Sequence, residues 1–319
     1  MPDLTGGSVL ARWGSWSRTI GLPPAVLLAL AVPSLILSTV LVALIFLDGT
    51  PFDWWLWEQA AARALDGDLF EWGAPSPYGP TETYDFRYSP LYAVIMVPFS
   101  ALGLDVWRLL HILALAGLPR RVALLTLAFA PFWYDVLHGN VMAFVVVLAY
   151  LALAGGRWAA VGYFAMCILV PRPLMLPVAA WLVWRRPESR PIALGFALLG
   201  GLTLLYPGYL EALVAANSVL AIDNVAPSAW FGWAWVPIGL GLAAWLTVTG
   251  RLGLASLAIM PYWLPYYLMM ALIDLTSATV LRSTSPWAAR SSPRPDMPGA
   301  VESSTDMVKA SHGDFTGRR

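Results

Sequence analysis

Residues 23–58 read PPAVLLALAVPSLILSTVLVALIFLDGTPFDWWLWE, an uncharged apolar run that stops abruptly in acids and tryptophans. At about 1.5 Å per residue, Pro23 to Leu47 is long enough to cross the ~30 Å hydrocarbon core of a bilayer. Arg12 and Arg18 precede the run and acids follow it, so residues 1–22 are expected in the cytoplasm and the acidic segment outside. The run is too long for a signal-peptide core and has no obvious small-residue cleavage site, which makes it a retained first helix.

The segment that follows, Asp48 to Arg87, is the most polar part of the chain before its C-terminal tail. It holds Asp48, Asp53, Glu58, Asp66, Asp68, Glu71, Glu82 and Asp85 against Arg63 and Arg87, which is eight of the 19 acidic residues. Such a cluster is costly in lipid and belongs in water at the bilayer edge. There it can act on a substrate with a polar head and a lipid tail.

Composition agrees with this reading. The chain is 59% hydrophobic and 12% charged, has a mean hydropathy of +0.66 and carries 17 Trp, the profile of an integral membrane protein. A formal net charge of zero argues against a nucleic-acid partner, which needs a basic face. The single cysteine, Cys167, precludes a disulfide within the chain and reads as a small buried hydrophobe.

Arginines recur between the apolar runs at Arg120, Arg121, Arg157, Arg185, Arg186, Arg190, Arg251 and Arg282, marking an inner side. The opposite ends carry Trp133-Tyr134-Asp135, Glu211, Asp223 and Tyr262-Trp263, as an outer aromatic belt does. The expected fold is all-α and polytopic, with about ten crossings (8–11) and both termini inside. These lie near 24–47, 89–118, 122–137, 140–155, 158–170, 174–184, 191–206, 229–248, 252–262 and 265–281. The span 89–118 contains Pro98, Asp105 and Arg108, so it is either one broken crossing or two short ones. The runs around Pro171-Arg172-Pro173 and Pro261 to Pro265 are too short to cross alone and read as hairpins with outer tips. Tyr206 to Trp230 forms a second outer segment suited to an interfacial helix. The domain organisation is then a cytoplasmic N-terminus (1–22), a transmembrane domain (23–282, outer loop 48–88) and a disordered cytoplasmic tail (283–319).

Within the acidic segment, Trp54 to Asp66 reads as an interfacial helix with Trp54, Trp57 and Ala61 near one face. Gly67 makes a turn between Asp66 and Asp68. Phe86-Arg87-Tyr88-Ser89-Pro90 then opens the next apolar run. An Asp just after the first helix, an aromatic-Ala-Ala-Leu-Gly pattern and Phe-x-Tyr-x-Pro together resemble glycosyltransferase family 87. The pattern is carried by Asp53 to Ala61, Leu65-Asp66-Gly67 and Phe86 to Leu91. Weaker agreement comes from His138-Gly139-Asn140-Val141, Val170-Pro171-Arg172-Pro173 and Met260-Pro261-Tyr262 to Tyr266-Tyr267. The resemblance spans roughly residues 24–280 and rests on order and spacing. Asn140, Met142 and Arg172 depart from the family pattern of Gln, Asn and Lys.

This resemblance implies a type C membrane fold and transfer of a hexose, mannose in the family's mycobacterial members, from a polyprenyl-phosphate sugar to a lipid or glycan acceptor. Transfer would be inverting and would take place on the non-cytoplasmic face of the cell membrane, among membrane lipids. Asp53 is the expected general base; its plainer reading is a solvated or helix-capping acid. Arg172, flanked by prolines in an apolar run, is expected to stabilise the phosphate leaving group, the alternative being an ion pair with an acid such as Asp135. Arg87 is a second cation, or a snorkelling one. Tyr88 lies beside it in the same motif. His138 and Asn140 share the outer rim and could bind sugar or phosphate, although a lone His at a helix end often serves only local hydrogen bonds. Glu58 falls about 140° from Asp53 on a regular helix and is secondary. Trp54, Trp55, Trp57 and Trp72 are expected as interfacial anchors, with sugar stacking the alternative. Some type C enzymes use a divalent metal; no ligand set is fixed in this sequence, and no cofactor is expected. A second reading from another class is a non-catalytic lipid-binding accessory subunit or a transporter.

Overall fold

The computed structural model describes residues 24–47, 51–70, 75–76, 79–83, 86–216 and 226–274. The expected cytoplasmic N-terminus and C-terminal tail, together with Asp48, Glu71, Trp72, Asp85 and Asp223, lie outside them. The fold is helical. Helix α1 (Pro24–Leu47) leads into α2 (Phe52–Asp66), which is closed by Gly67 in the left-handed conformation at φ 88°. The segment between α2 and the next helix is not all coil: strands β1 (Pro75–Ser76) and β2 (Gly79–Thr83) pair antiparallel, Pro75 opposite Thr83 and Ser76 opposite Gly79.

Helix α3 (Pro90–Leu102) starts on a Ser89 cap, whose hydroxyl accepts from the Leu91 amide, with Pro90 at the first helical position. It meets α4 (Leu104–Ala114) at an angle of 108°. The bend falls at Gly103, whose φ of 85° suits glycine, and not at Pro98, which α3 accommodates in its interior. Asp105 and Arg108 therefore fall in the first two turns of α4, just after the bend. Arg108 donates to the carbonyls of Val136, Leu137 and Ile45, and Asp105 beside it is 98% exposed.

The remaining helices are α5 (Arg120–Leu127), α6 (Ala130–His138), α7 (Met142–Leu153), α8 (Arg157–Leu169), α9 (Leu176–Arg185), α10 (Arg190–Thr203), α11 (Tyr209–Ala216), α12 (Ser228–Phe231), α13 (Trp235–Val248) and α14 (Leu252–Ile259), with a 3-10 segment over Pro265–Met270. Helix α7 is apolar all round and is buried over most of its surface, with Phe144, Leu148 and Leu151 half-buried along one face. It packs on α8 and on the 265–270 segment, while α1 packs on α6, α2 on α3 and α13 on α14. Arg186 reaches the carbonyls of Ala152 and Leu153, satisfying the C-terminal end of α7 with a cation.

Outward, α1, α10 and α13 expose Leu35, Ile36, Phe46, Leu198, Leu202, Trp245 and Val248, and Leu205 just beyond α10 is exposed as well. Apolar surface on this scale is a contact surface for lipid or protein. Ala29–Leu47 and Ser228–Val248 are long and apolar enough to cross a membrane, and the bent α3–α4 pair makes a third candidate if it is one span. Helices α7, α8 and the stretch Pro173–Arg185 are apolar but shorter, below the ~20 residues that a lone crossing needs.

Gly253 shows how closely the C-terminal elements pack, because a Cβ there would overlap the Met270 carbonyl oxygen. Gly253→Ala is expected to destabilise by roughly 1–3 kcal/mol, lowering the thermal midpoint of the purified protein. Gly241→Ala, with open space around it on α13, should leave the midpoint unchanged or slightly raised.

Candidate functional site

The site is built on the elbow between α6 and α7. Gly139 ends α6 at φ 70°, and its carbonyl accepts from two indoles, Trp57 Nε1 at 2.8 Å and Trp107 Nε1 at 2.7 Å. Asn140 follows, its side-chain oxygen taken by the Val141 amide at 2.7 Å. Its Nδ2 donates at 2.8 Å to Oδ2 of Asp53, in the first turn of α2. Pro51, not Asp53, is the N-cap residue of that helix, and it provides no side-chain cap. The capping reading of Asp53 is thus corrected: its carboxylate crosses to the α6–α7 elbow.

The elbow is braced from beneath. The Asp135 carboxylate accepts from the amides of Met142 at 3.1 Å and Ala143 at 2.8 Å, capping α7 across the turn. His111 places its ring nitrogens 2.8 Å from the Trp107 carbonyl and 2.6 Å from the Asn140 carbonyl, with Asp135 Oδ2 3.6 Å away. Asp135 is therefore occupied as a helix cap. The contacts of Arg172, its expected alternative partner, lie with tyrosines. The guanidinium stands 4.8 Å over the Tyr88 ring, hydrogen-bonds the Tyr88 hydroxyl and feels those of Tyr262 and Tyr267.

Asp53 keeps a partial opening to solvent. Burial pushes its carboxyl above the usual carboxylate range, while the Asn140 hydrogen bond and then the charges of His138 and Arg172 pull it back. Burial likewise pushes the Tyr88 hydroxyl up to about 12, so it remains a neutral hydrogen-bonding group at neutral pH. Asp53 thus feels the charge of Arg172, which lies among the phenols of Tyr88, Tyr262 and Tyr267. Tyr88 stacks edge-on with Trp57 at 4.7 Å, and Tyr266 meets Tyr267 at 4.9 Å.

Asp53, Asn140, His138, Tyr88 and Arg172 lie within hydrogen-bonding or electrostatic reach of one another. His138 ends α6, its ring tilted against that of Tyr134 at 4.3 Å. Glu58 does not join them: its carboxylate accepts from Trp54 Nε1 at 2.7 Å along the same helix. Arg87 is half-buried, but the charges that act most on Asp53 are those of His138 and Arg172. Trp54 and Trp57 are neither interfacial anchors nor sugar platforms, because both are fully enclosed in the core. Tyr262, Tyr266 and Tyr267 are additions. Their sequence signal was the weak agreement of Met260 to Tyr267 with the family pattern. His111 had no role in the sequence reading, and Asp135, expected at an outer rim or beside Arg172, is buried as a helix cap.

Among the described residues, no three His, Cys, Asp or Glu side chains gather as a metal would require. In comparisons with known protein families, with characterised proteins and with solved structures, the chain matches none.

Removing the Asp135 cap tests the elbow. Asp135→Ala is expected to cost about 1–2 kcal/mol and to speed amide hydrogen exchange at Met142 and Ala143, with a smaller effect from Asp135→Asn. Unchanged exchange in the alanine variant would dismiss the cap.

Proposed function

We propose that the protein is a multi-pass membrane glycosyltransferase, with about ten short or full crossings, that moves a hexose from a polyprenyl-phosphate sugar to a lipid or glycan acceptor on the non-cytoplasmic face. The family resemblance favours mannose. One observation supports the reading: Asp53, a half-buried residue whose carboxylate accepts a hydrogen bond from Asn140, lies within the electrostatic reach of the buried cation Arg172.

In the reaction proposed, the acceptor hydroxyl oxygen attacks the anomeric carbon and its proton passes to Asp53. The bond from that carbon to the phosphate oxygen breaks on the opposite face, and the phosphate leaves with the electron pair. Arg172 and the Tyr88 hydroxyl offer charge and hydrogen bonding to the departing phosphate. His138 stands near enough to bind a sugar hydroxyl. The raised carboxyl pKa suits this role, since a base works best when its pKa approaches the working pH.

Sugar transfer from radiolabelled polyprenyl-phosphate-mannose to membrane lipids tests the proposal. Asp53→Asn should lower turnover by roughly 10²–10⁴-fold while the fold persists, and Arg172→Ala should chiefly weaken use of the donor. Wild-type turnover in Asp53→Asn would remove it from the mechanism.

The pH profile gives a separate check. Asp53 must be ionised to accept a proton, so activity should fall on acidification through an inflection above the ordinary carboxylate range. Asn140→Ala removes an interaction that stabilises the ionised form, and its inflection should move to higher pH. An unmoved inflection would assign the titration to another group.

A further inference from the structure

The end of α7 remote from the elbow, about 18 Å away by helical rise, is the meeting place of four arginines. Arg186 donates to the carbonyls of Ala152 and Leu153, and a Cβ at Gly155, two residues before Arg157, would lie 3.9 Å from the same guanidinium. Arg190 opens α10 and donates through Nε to the Val183 carbonyl at 3.1 Å, which brings it to the last turn of α9. In that turn Arg185 sits in a corner of two indoles, 4.9 Å over Trp181 and 4.3 Å over Trp184, whose planes stand at 90°. Arg157, Arg185 and Arg190 are exposed. Among the described residues none of the four arginines pairs with a carboxylate, although Glu188 stands in the turn from α9 to α10. Large apolar surface borders the charge: Trp158, beside Arg157, is 83% exposed and Trp184 49%.

Helix-end carbonyls explain Arg186 and one nitrogen of Arg190, since cations there satisfy orphan acceptors and complement the helix dipole. They do not explain Arg157, Arg185 or the remaining nitrogens of Arg190. We propose that this end of the molecule binds the head group of an anionic phospholipid, with Arg185 and Arg190 as its principal phosphate ligands. The charge selects an anion, and the planar guanidinium fork matches a pair of phosphate oxygens better than an ammonium does. The exposed indoles select a lipid over a soluble anion, because tryptophan at the edge of an apolar surface sits at head-group level and basic clusters there attract anionic lipids. Arg185 is already held on its two rings, so binding costs it little further side-chain freedom. The lipid bound here is neither donor nor acceptor of the proposed transfer: it lies at the opposite end of α7 from Asp53 and requires only that the chain be in a membrane.

Native mass spectrometry of the full chain, released from nanodiscs of dioleoylphosphatidylglycerol and dioleoylphosphatidylcholine in equal parts, tests the site. Wild type should retain phosphatidylglycerol in preference to phosphatidylcholine. Arg185→Gln and Arg190→Gln should each lower that preference by about tenfold. Arg185→Lys, which keeps the charge but loses the planar fork, should lower it as well. Arg121→Gln, an equal loss of charge at an exposed position on α5, should leave it nearly unchanged. Absence of a preference in wild type, or its survival in all three variants at Arg185 and Arg190, would overturn the proposal. Equal losses in Arg121→Gln and Arg185→Gln would do so too, by reducing the effect to diffuse surface charge. Displacement of the retained lipid by inorganic phosphate would assign the arginines to a free anion and overturn the lipid site.

Discussion

The carbonyl of Gly139 accepts hydrogen bonds from Trp57 and Trp107, and much of the site's geometry depends on that shared acceptor. A chain that turns between two helices inside an apolar core exposes backbone groups that water cannot reach, and each one left unpaired is costly. Here side chains from other elements pair with them. Two indoles take the Gly139 carbonyl, His111 reaches the Asn140 carbonyl, and Asp135 receives the first amides of α7. With the elbow fixed, Asn140 has little freedom, and through its amide the Asp53 carboxylate is aimed. The same indoles tie α2 and α4 to the elbow, so the brace for the carboxylate is also a brace for the fold.

This economy explains why the tryptophans of α2 are buried. Trp54, Trp55 and Trp57 follow the acidic entry to the helix and sit where anchors at a membrane surface are common. In the folded chain the loop helix turns inward, and its indole N–H groups have internal partners. An indole can fill a core only when its N–H is paired. Gly139 O and Glu58 provide that pairing for Trp57 and Trp54.

The opposing charge is embedded differently. Arg172 lies in an extended stretch between helices with phenols around it. The two charges belong to different elements, α2 and the α8–α9 link, and interact through space.

Much of this was legible in the chain. Apolar runs bounded by Arg, Pro and Gly fixed most helices, because burial of an apolar stripe and the backbone limits of Pro and Gly are local properties. Asp53, Arg172, His138 and Asn140 could be picked out as candidates, since polar groups beside long apolar runs are expensive and stand out. What sequence could not supply was partnership. Whether Asp135 meets Arg172 or caps α7, whether the 89–118 span bends at Pro98 or Gly103, and whether Trp57 faces lipid or a carbonyl 82 residues away depend on how the helices pack. The sequence by itself determined a helical, strongly apolar chain with a polar rim. Only the tertiary structure decided which rim residues converge, because hydrogen bonds and charges act over a few ångströms and chain separation does not set that distance.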